Sequence, residues 1–214
     1  MAKIKEQKRK TDRRKRKSVV FIICEGSETE INYFNKFKSR NSLITIKAIT
    51  SQYKSAHGLV KRAEDTIKQE LYSPQDGDEL WCVFDRDDNT NEELQKAEAL
   101  AGRRGYSVAF SNPSFELWYL LHFVDHRANI KDSKAVITKL ETGGYILNYD
   151  KAADYYGILH PKQQLAIDRA IALQNHHASE GLPLLHWNSN PCTTVAQLVM
   201  LLQSRADITG RNKI

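Results

Sequence analysis

Residues 18–30 read SVVFIICEGSETE, and residues 79–88 read ELWCVFDRDD. Each stretch contains a continuous apolar run of strand length, at 19–24 and 80–84, that ends abruptly in carboxylates. Continuous runs rich in β-branched and aromatic residues are typical of strands buried on both faces, as in a parallel sheet. The two stretches therefore predict two central strands, each followed by an acidic loop.

Strand-like and helix-like segments alternate around these two runs. Further strands are predicted at 43–49 and 106–110, and helices at 29–39, 56–70 and 91–101. Asn112-Pro113 has the residue types of a helix cap and first turn, which predicts a fourth helix ending near Phe123. Alternating strands and helices give right-handed βαβ crossovers. We therefore expect an α/β core with about four mainly parallel strands flanked by helices.

The positive charge is concentrated at one end of the chain. Residues 1–17 contain ten basic and two acidic residues, whereas the rest of the chain contains 22 basic and 24 acidic residues. This distribution excludes a protein with one large basic face. A polar segment of like charges is typical of disorder. After about residue 125 only helical patterns follow, so we predict a disordered tail (1–17), an α/β core (18–125) and a helical extension packed on the core (126–214).

The composition excludes several classes of protein. No apolar run approaches the roughly 20 residues of a membrane helix, and the run at 19–24 is too short for a signal peptide. The three cysteines, Cys24, Cys82 and Cys192, contain no CxxC pair, which argues against a disulfide framework or a zinc site. We expect a cytoplasmic protein that neither spans nor binds a membrane.

Carboxylates follow both central strands. Glu25 ends the first run, and Asp85, Asp87 and Asp88 end the second. The loops at the carboxyl ends of parallel strands converge, so these residues meet if the two strands are neighbours. Converging carboxylates repel one another unless a cation lies among them, and oxygen-only ligands favour Mg²⁺ or Mn²⁺ over zinc. Gly26 permits a tight turn and leaves room for a phosphate.

Each of these residues also has a purely structural interpretation. Acidic residues after a strand commonly form solvated turns, although their presence after both central strands favours a site. Glu30 is either a further metal ligand or a carboxylate favoured by the helix dipole. Glu116 either joins the metal shell or is an exposed residue of a first helical turn. Asn112 begins a helix whose free N–H groups could hold a phosphate.

Four motifs resemble, in chain order, those of the RloB-like family. They are ICEGSETE at 23–30 with Tyr33-Phe34, FDRD at 84–87, SNPSFELW at 111–118 with LHF at 121–123, and NPCTT at 190–194. The strand–Glu-Gly and strand–Asp-x-Asp pair is similar to the TOPRIM domain, the metal-binding fold of topoisomerases, DnaG-type primases and OLD-type nucleases.

The resemblance implies a TOPRIM-like (Rossmann-like) core with Mg²⁺ bound by Asp85 and Asp87 and with Glu25 in acid–base catalysis. It also implies a phage-defence or abortive-infection system with an AAA-type ATPase partner. We therefore expect a Mg²⁺-dependent nuclease of DNA or RNA, with Glu25, Asp85 and Asp87 as catalytic residues. Glu25 and Glu30 are expected to complete the metal ligands, supported by Gly26, Asp88, Asn112 and Glu116. The alternative is a non-catalytic TOPRIM-fold subunit or sensor that binds nucleic acid or nucleotide.

The basic tail is expected to contact nucleic acid. Its last five residues, Arg13, Arg14, Lys15, Arg16 and Lys17, supply phosphate affinity that is independent of sequence and weakens with salt. A strand of six residues spans about 20 Å, so the tail and Glu25 lie at opposite ends of the first strand. The tail is therefore predicted to tether nucleic acid, or an acidic partner, without forming a wall of the active site.

Overall fold

The two apolar runs form neighbouring strands in the computed structural model, which describes residues 17–38, 44–50, 55–68 and 70–207. Strand β1 (Ser18–Cys24) pairs in parallel with β3 (Glu79–Asp85), and Cys24 lies opposite Val83. Both strands are buried along nearly their whole length. Their prediction as central strands is confirmed, and the condition that the two strands are neighbours is met.

The sheet has the strand order β2-β1-β3-β4-β5. Strands β2 (Ile44–Thr50) and β4 (Ser107–Asn112) are parallel to their neighbours, and β5 (Cys192–Thr193) is antiparallel to β4. The predicted α/β fold with four mainly parallel strands is confirmed. The fifth strand was not predicted because two residues carry no periodic pattern. The chain leaves β1 for β2 and then returns to the other side of β1, so β1 and β3 flank the topological switch point.

Helices cover both faces of the sheet because successive side chains of a buried strand point to opposite sides. Phe21 and Phe84 pack on the face covered by α2 (Ala56–Lys68) and α3 (Asn91–Arg104), whereas Ile22 and Val83 pack on the opposite face. The remaining helices lie on the second face: α1 (Thr29–Asn35), α4 (Glu116–Leu121), α5 (Ser133–Thr142), α6 (Tyr156–Leu159), α7 (Gln163–Ser179) and α8 (Val195–Asp207).

The helical segment after residue 125 shares its hydrophobic core with the sheet. Leu140 of α5, Leu173 of α7 and Leu198 of α8 belong to the same buried cluster as Val20 and Ile22 of β1. Each is at most 1% exposed. These helices therefore bury one face of the central strands that carry the acidic loops.

The sequence had predicted that a helix begins at Asn112, but none begins there. Asn112 is the last residue of β4, and α4 starts at Glu116. The side-chain oxygen that would cap a helix accepts a hydrogen bond from Asn190 Nδ2 at 3.0 Å. Its Nδ2 donates to the carbonyls of Trp187 and Ser189, at 3.1 and 2.9 Å. The prediction was wrong because a distant loop takes the polar atoms that a local cap would use.

Two further predictions concern the chain ends and the membrane. Within the described ranges, no helix is long and apolar enough to cross a membrane. Lys17 is exposed, immediately before β1. The disorder predicted for the tail and the residues Arg13, Arg14, Lys15 and Arg16 lie outside the described residues, as does the end of the predicted extension at 208–214.

Candidate metal and catalytic site

An acidic cleft of about 450 Å³ opens where β1 and β3 end. This is the switch point of the sheet, where open α/β folds bind their ligands. The cleft brings together all the carboxylates that the sequence had singled out. Its lining comprises Glu25, Gly26, Ser27, Glu28, Thr29, Glu30, Asp85, Asp87, Asp88, Phe115, Glu116 and Lys151.

The sheet itself holds the two strand-end carboxylates in place. The Glu25 backbone N–H donates to the Val83 carbonyl at 3.0 Å, which extends the β1–β3 pairing by one residue. The Arg86 backbone N–H donates to the Ser111 carbonyl at 2.8 Å, which does the same for β3 and β4. Glu25 and Asp85 therefore project from rigid backbone rather than from free loops.

Two carboxylate oxygens in the cleft are buried without a partner. Within the described residues, Glu25 Oε2 and Asp85 Oδ1 accept no hydrogen bond. Burial and then the charge of Asp87 raise the pKa of Glu25 to about 7. Burial and then the charges of Glu30 and Glu116 raise the pKa of Asp85 well above its usual range. The carboxylates of the cleft are thus short of neutralising positive charge.

The turn after β3 has strained backbone at Asp87. Its φ of +34° lies in the left-handed region that residues with a side chain rarely adopt. Asn89 holds this turn, since its side chain accepts from the Ala56 backbone N–H at 2.8 Å and donates to the Asp85 carbonyl at 3.2 Å. Although Asp87 is an exposed residue, neighbouring atoms partly desolvate its carboxylate and raise its pKa. Asp88 is exposed at the rim of the cleft.

Glu30 faces the cleft from the first turn of α1. It is 6% exposed, and burial raises the pKa of its carboxyl even though the N–H groups of Gly26 and of Glu30 itself stabilise the charged form. A Cβ on Gly26 would overlap the Glu30 carboxylate. The space above Gly26, expected to admit a phosphate, is therefore filled by this side chain. Glu30 lies in the first turn of α1 and also lines the cleft, so its position is compatible with both interpretations, and its role as a metal ligand stays a prediction.

Glu116 is a buried part of the cleft wall, so the alternative of an exposed helical residue is wrong. It is 2% exposed, and its Oε2 accepts from the hydroxyls of Ser114 at 2.7 Å and Ser133 at 3.3 Å. Its Oε1 accepts from the Tyr149 hydroxyl at 3.2 Å and lies 3.8 Å from Lys151 Nζ. These contacts fix the orientation of Glu116.

Lys151 and Tyr149 were not found by sequence reasoning. They belong to the irregular segment between α5 and α6, which carries neither a motif nor a periodic pattern. Contacts with α1 bring the segment to the cleft: Thr29 Oγ1 donates to the Lys151 carbonyl at 3.3 Å, and Asn32 Nδ2 donates to the Ala152 carbonyl at 3.1 Å. Among the described residues that line the cleft, Lys151 is the only cationic one.

The donor set of the cleft suits a hard divalent cation. It consists of carboxylate oxygens, which Mg²⁺ and Mn²⁺ prefer, and two of these oxygens are buried without a partner. As the side chains stand, the part of the chain that the structure describes contains no group of three or more His, Cys, Asp or Glu arranged to hold a metal ion. Binding would therefore require small side-chain rearrangements within the cleft.

A second cavity, of about 380 Å³, lies between α2 and α3. Its lining carries charges of both signs that pair locally, since Arg104 contacts Glu64 at 2.5 Å and Arg62 contacts Asp65 at 3.0 Å. Three cationic and two acidic side chains line this cavity, and none of them has a buried, unpartnered polar atom within the described residues, so it lacks the concentrated negative charge of the acidic cleft.

Comparison with known proteins places the chain in a family. No curated protein and no solved structure matches it. The family model described as RloB-like protein matches residues 20–202. That range contains all of β3, residues 20–24 of β1, every carboxylate of the cleft and the segment that carries Lys151. The chain therefore belongs to the RloB-like protein family.

Proposed function

We propose that this protein is a Mg²⁺- or Mn²⁺-dependent nuclease with a TOPRIM-type core. The observation that carries the proposal is the pair of buried, unpartnered oxygens, Glu25 Oε2 and Asp85 Oδ1, at the switch point of the sheet. A divalent cation at this position would offset the cost of burying carboxylates beside one another. The TOPRIM identity is supported by Glu-Gly after β1 and Asp-x-Asp at the end of the adjacent β3.

Six side chains of the cleft have roles in this proposal. Asp85 and Asp87 hold the ion, and Glu30 approaches from α1 as a further ligand. When bound, the ion supplies Lewis-acid polarisation of the phosphate and lowers the pKa of a water. Glu25 takes or gives a proton, and its pKa of about 7 in the metal-free protein marks it as a carboxyl that holds a proton readily near neutral pH before the ion binds. Lys151, oriented by Glu116, faces a phosphate oxygen and neutralises part of its charge.

The test is a cleavage assay on DNA and RNA with Mg²⁺ or Mn²⁺. The wild type is expected to give metal-dependent products, and the double variant Asp85→Ala/Asp87→Ala to give none. Glu92→Ala is the matched control, since Glu92 is an exposed carboxylate that does not line the cleft, and the variant should retain near-wild-type activity. Equal activity of the wild type and the double variant would contradict the assignment of the site.

We also propose that the nuclease works in the cytoplasm as part of a phage-defence or abortive-infection system with an AAA-type ATPase partner. Membership of the RloB-like family supports this proposed biological role, and so do the four sequence motifs that resemble those of the family. The buried free thiols of Cys24, Cys82 and Cys192 suit a reducing compartment. Co-purification with an ATPase encoded beside it, and loss of phage resistance in the cleavage-deficient variant, are the expected results.

A second candidate is a non-catalytic TOPRIM-fold subunit or sensor that binds nucleic acid or nucleotide. It is favoured by one observation: among the described residues, no three carboxylates are arranged to coordinate an ion as they stand. This candidate predicts a stable complex with the ATPase and no cleavage with any divalent metal, even when the ATPase is present. Metal-dependent products that disappear in Asp85→Ala/Asp87→Ala would exclude it.

Deletion of residues 2–17 is expected to weaken nucleic-acid binding and to flatten its salt dependence. The deleted segment carries ten basic residues, and each phosphate contact adds roughly one unit to the slope of log K against log salt. Binding is measured by fluorescence anisotropy between about 50 and about 200 mM salt. A tail of equal length with Arg13, Arg14 and Arg16 replaced by Gln is the matched control for chain length. If the deletion also abolished metal binding, the proposal that the tail and the metal site act independently would be refuted.

A further inference from the structure

An exposed tryptophan stacks on the arginine that separates the two aspartates of the cleft. The Arg86 guanidinium carbon lies 4.6 Å from the centroid of the Trp187 ring. Trp187 is 43% exposed, whereas Trp81 and Trp118 are 8% and 0% exposed. Asp85 and Asp87, the sequence neighbours of Arg86, both line the cleft, so the backbone of Arg86 lies at its edge, although neither Arg86 nor Trp187 is part of its lining. We call Arg86 and Trp187 the stacking pair.

The loop that carries Trp187 is fixed through its polar atoms. The Trp187 backbone N–H donates to Asn91 Oδ1 at 2.9 Å, and the indole N–H donates to the Asn89 carbonyl. Asn112, at the end of β4, donates to the carbonyls of His186 and Trp187, both at 3.1 Å. The ring is thus held in position by hydrogen bonds, which leave much of its apolar surface in contact with solvent.

Arg86 retains capacity for a ligand. Its Nε is buried and has no hydrogen-bond partner within the described residues. Its planar guanidinium group covers one face of the indole, and such a plane also stacks on nucleobases and binds phosphate. A pair whose only role was to anchor the loop would gain nothing from an unpartnered donor or from an exposed ring.

We propose that the stacking pair binds an unpaired base of the nucleic-acid substrate and positions the adjoining phosphate at the cleft. This inference depends on the proposed function for its substrate class. Aromatic side chains beside a cationic group stack any base, because every base has a π face, and they do so without sequence preference. A base inside a duplex is already stacked on its neighbours, so the pair selects single-stranded or locally unpaired substrate.

The test measures binding without catalysis, in EDTA and at low salt. The probes are an oligothymidylate and an abasic oligomer of the same length and charge. Oligothymidylate is expected to quench the tryptophan emission of the wild type, because Trp187 is the exposed tryptophan, and the abasic oligomer is not. Trp187→Ala should weaken oligothymidylate binding by about 10-fold, and Trp187→Phe should largely restore it.

The controls separate stacking from charge and from folding. Leu165→Ala removes an equally exposed apolar residue on α7, outside the cleft, and should leave the affinity unchanged. Unfolding temperatures show whether Trp187→Ala remains folded, and Trp187→Phe provides the stacking test in a variant that keeps an aromatic ring at this position. Unchanged emission at saturating oligothymidylate, equal affinity for the abasic oligomer, or equal quenching by a duplex would each overturn the proposal. Since no hydrolysis is measured, failure of the nuclease assignment would be seen separately, in the cleavage assay.

Discussion

Asp85→Asn is expected to abolish metal-dependent cleavage and, at the same time, to raise the stability of the metal-free protein. The amide keeps the shape of the side chain but removes a buried negative charge that Glu30 and Glu116 oppose. The amide also replaces a buried carboxylate that has an unpartnered oxygen by an uncharged group, which is less costly to bury. Loss of a proposed ligand should lower the cleavage rate by at least about 100-fold.

Opposite effects on activity and stability distinguish a functional carboxylate from a structural one. The unfolding temperature of Asp85→Asn in EDTA should rise by a few degrees, since about 1 kcal/mol shifts it by roughly 2–4 °C in a protein of this size. Glu116→Gln is the matched control, because Glu116 is a carboxylate of the same cleft that accepts from Ser114, Ser133 and Tyr149. It should lower the unfolding temperature. A destabilised Asp85→Asn that still cleaves would refute the site.

The sequence allowed the prediction of those parts of the site that depend on the sheet alone. The runs before Glu25 and Asp85 are apolar on both faces, and only central parallel strands need such runs. Once β1 and β3 are neighbours, as the strand pairing shows, the residues that follow them must converge. The convergence of these residues could therefore be predicted without knowledge of any side-chain contact.

The positions of Lys151 in the cleft and of Trp187 beside Arg86 depend on packing between distant segments, which the sequence pattern does not encode. Lys151 reaches the cleft because its backbone bonds to Thr29, more than a hundred residues earlier in the chain. Trp187 lies beside Arg86 because Asn112 and Asn91 hold its loop. These segments are irregular, so no periodicity marks them.

Residue type alone led to wrong predictions for two side chains, Glu116 and Asn112. Each can be satisfied either at its own helix end or by residues that are distant in the chain. A glutamate in a first helical turn is usually exposed, yet Glu116 is 2% exposed because hydroxyls from three segments surround it. Asn112 has the side chain of a helix cap, but a tertiary partner, Asn190, uses the same oxygen. Tertiary contacts decide between the local and the distant arrangement, because they add burial and hydrogen bonds that a single helix end does not offer.

The stabilising effect of Mn²⁺ is expected to increase with pH and to level off above about pH 7. The pKa of Glu25 is raised to about 7, and the pKa values of Glu30, Asp85 and Asp87 are also raised. A carboxyl with a raised pKa keeps a proton in the folded state that the unfolded chain has released. For Glu25, folding stability therefore falls as pH rises between its usual pKa of 4.5 and about 7, and the full penalty persists above that window.

Total stability does not isolate this effect, because His122 contributes with the opposite sign. Burial lowers the pKa of His122 from 6.5 to about 4, so its contribution to stability rises with pH over much of the same window. His122 does not line the cleft, and its Nδ1 lies 2.8 Å from the Trp118 carbonyl. Its contribution is therefore the same with and without metal. The informative quantity is the difference between the unfolding temperatures in Mn²⁺ and in EDTA, measured at each pH.

The difference between the unfolding temperatures in Mn²⁺ and in EDTA should be small at about pH 5, where bound protons neutralise the carboxylates of the cleft. It should be largest at about pH 8, where the carboxylates have lost these protons and only the metal ion can neutralise their charge. At 100 times the dissociation constant, a ligand adds about 2.7 kcal/mol, which corresponds to a rise of roughly 5–10 °C. Glu25→Gln should flatten the pH dependence, and Asp85→Asn should reduce the rise itself. A Mn²⁺ effect that is equal at both pH values, or that survives both substitutions, would place the ion elsewhere, since these carboxylates would then neither bind it nor compete for it with protons.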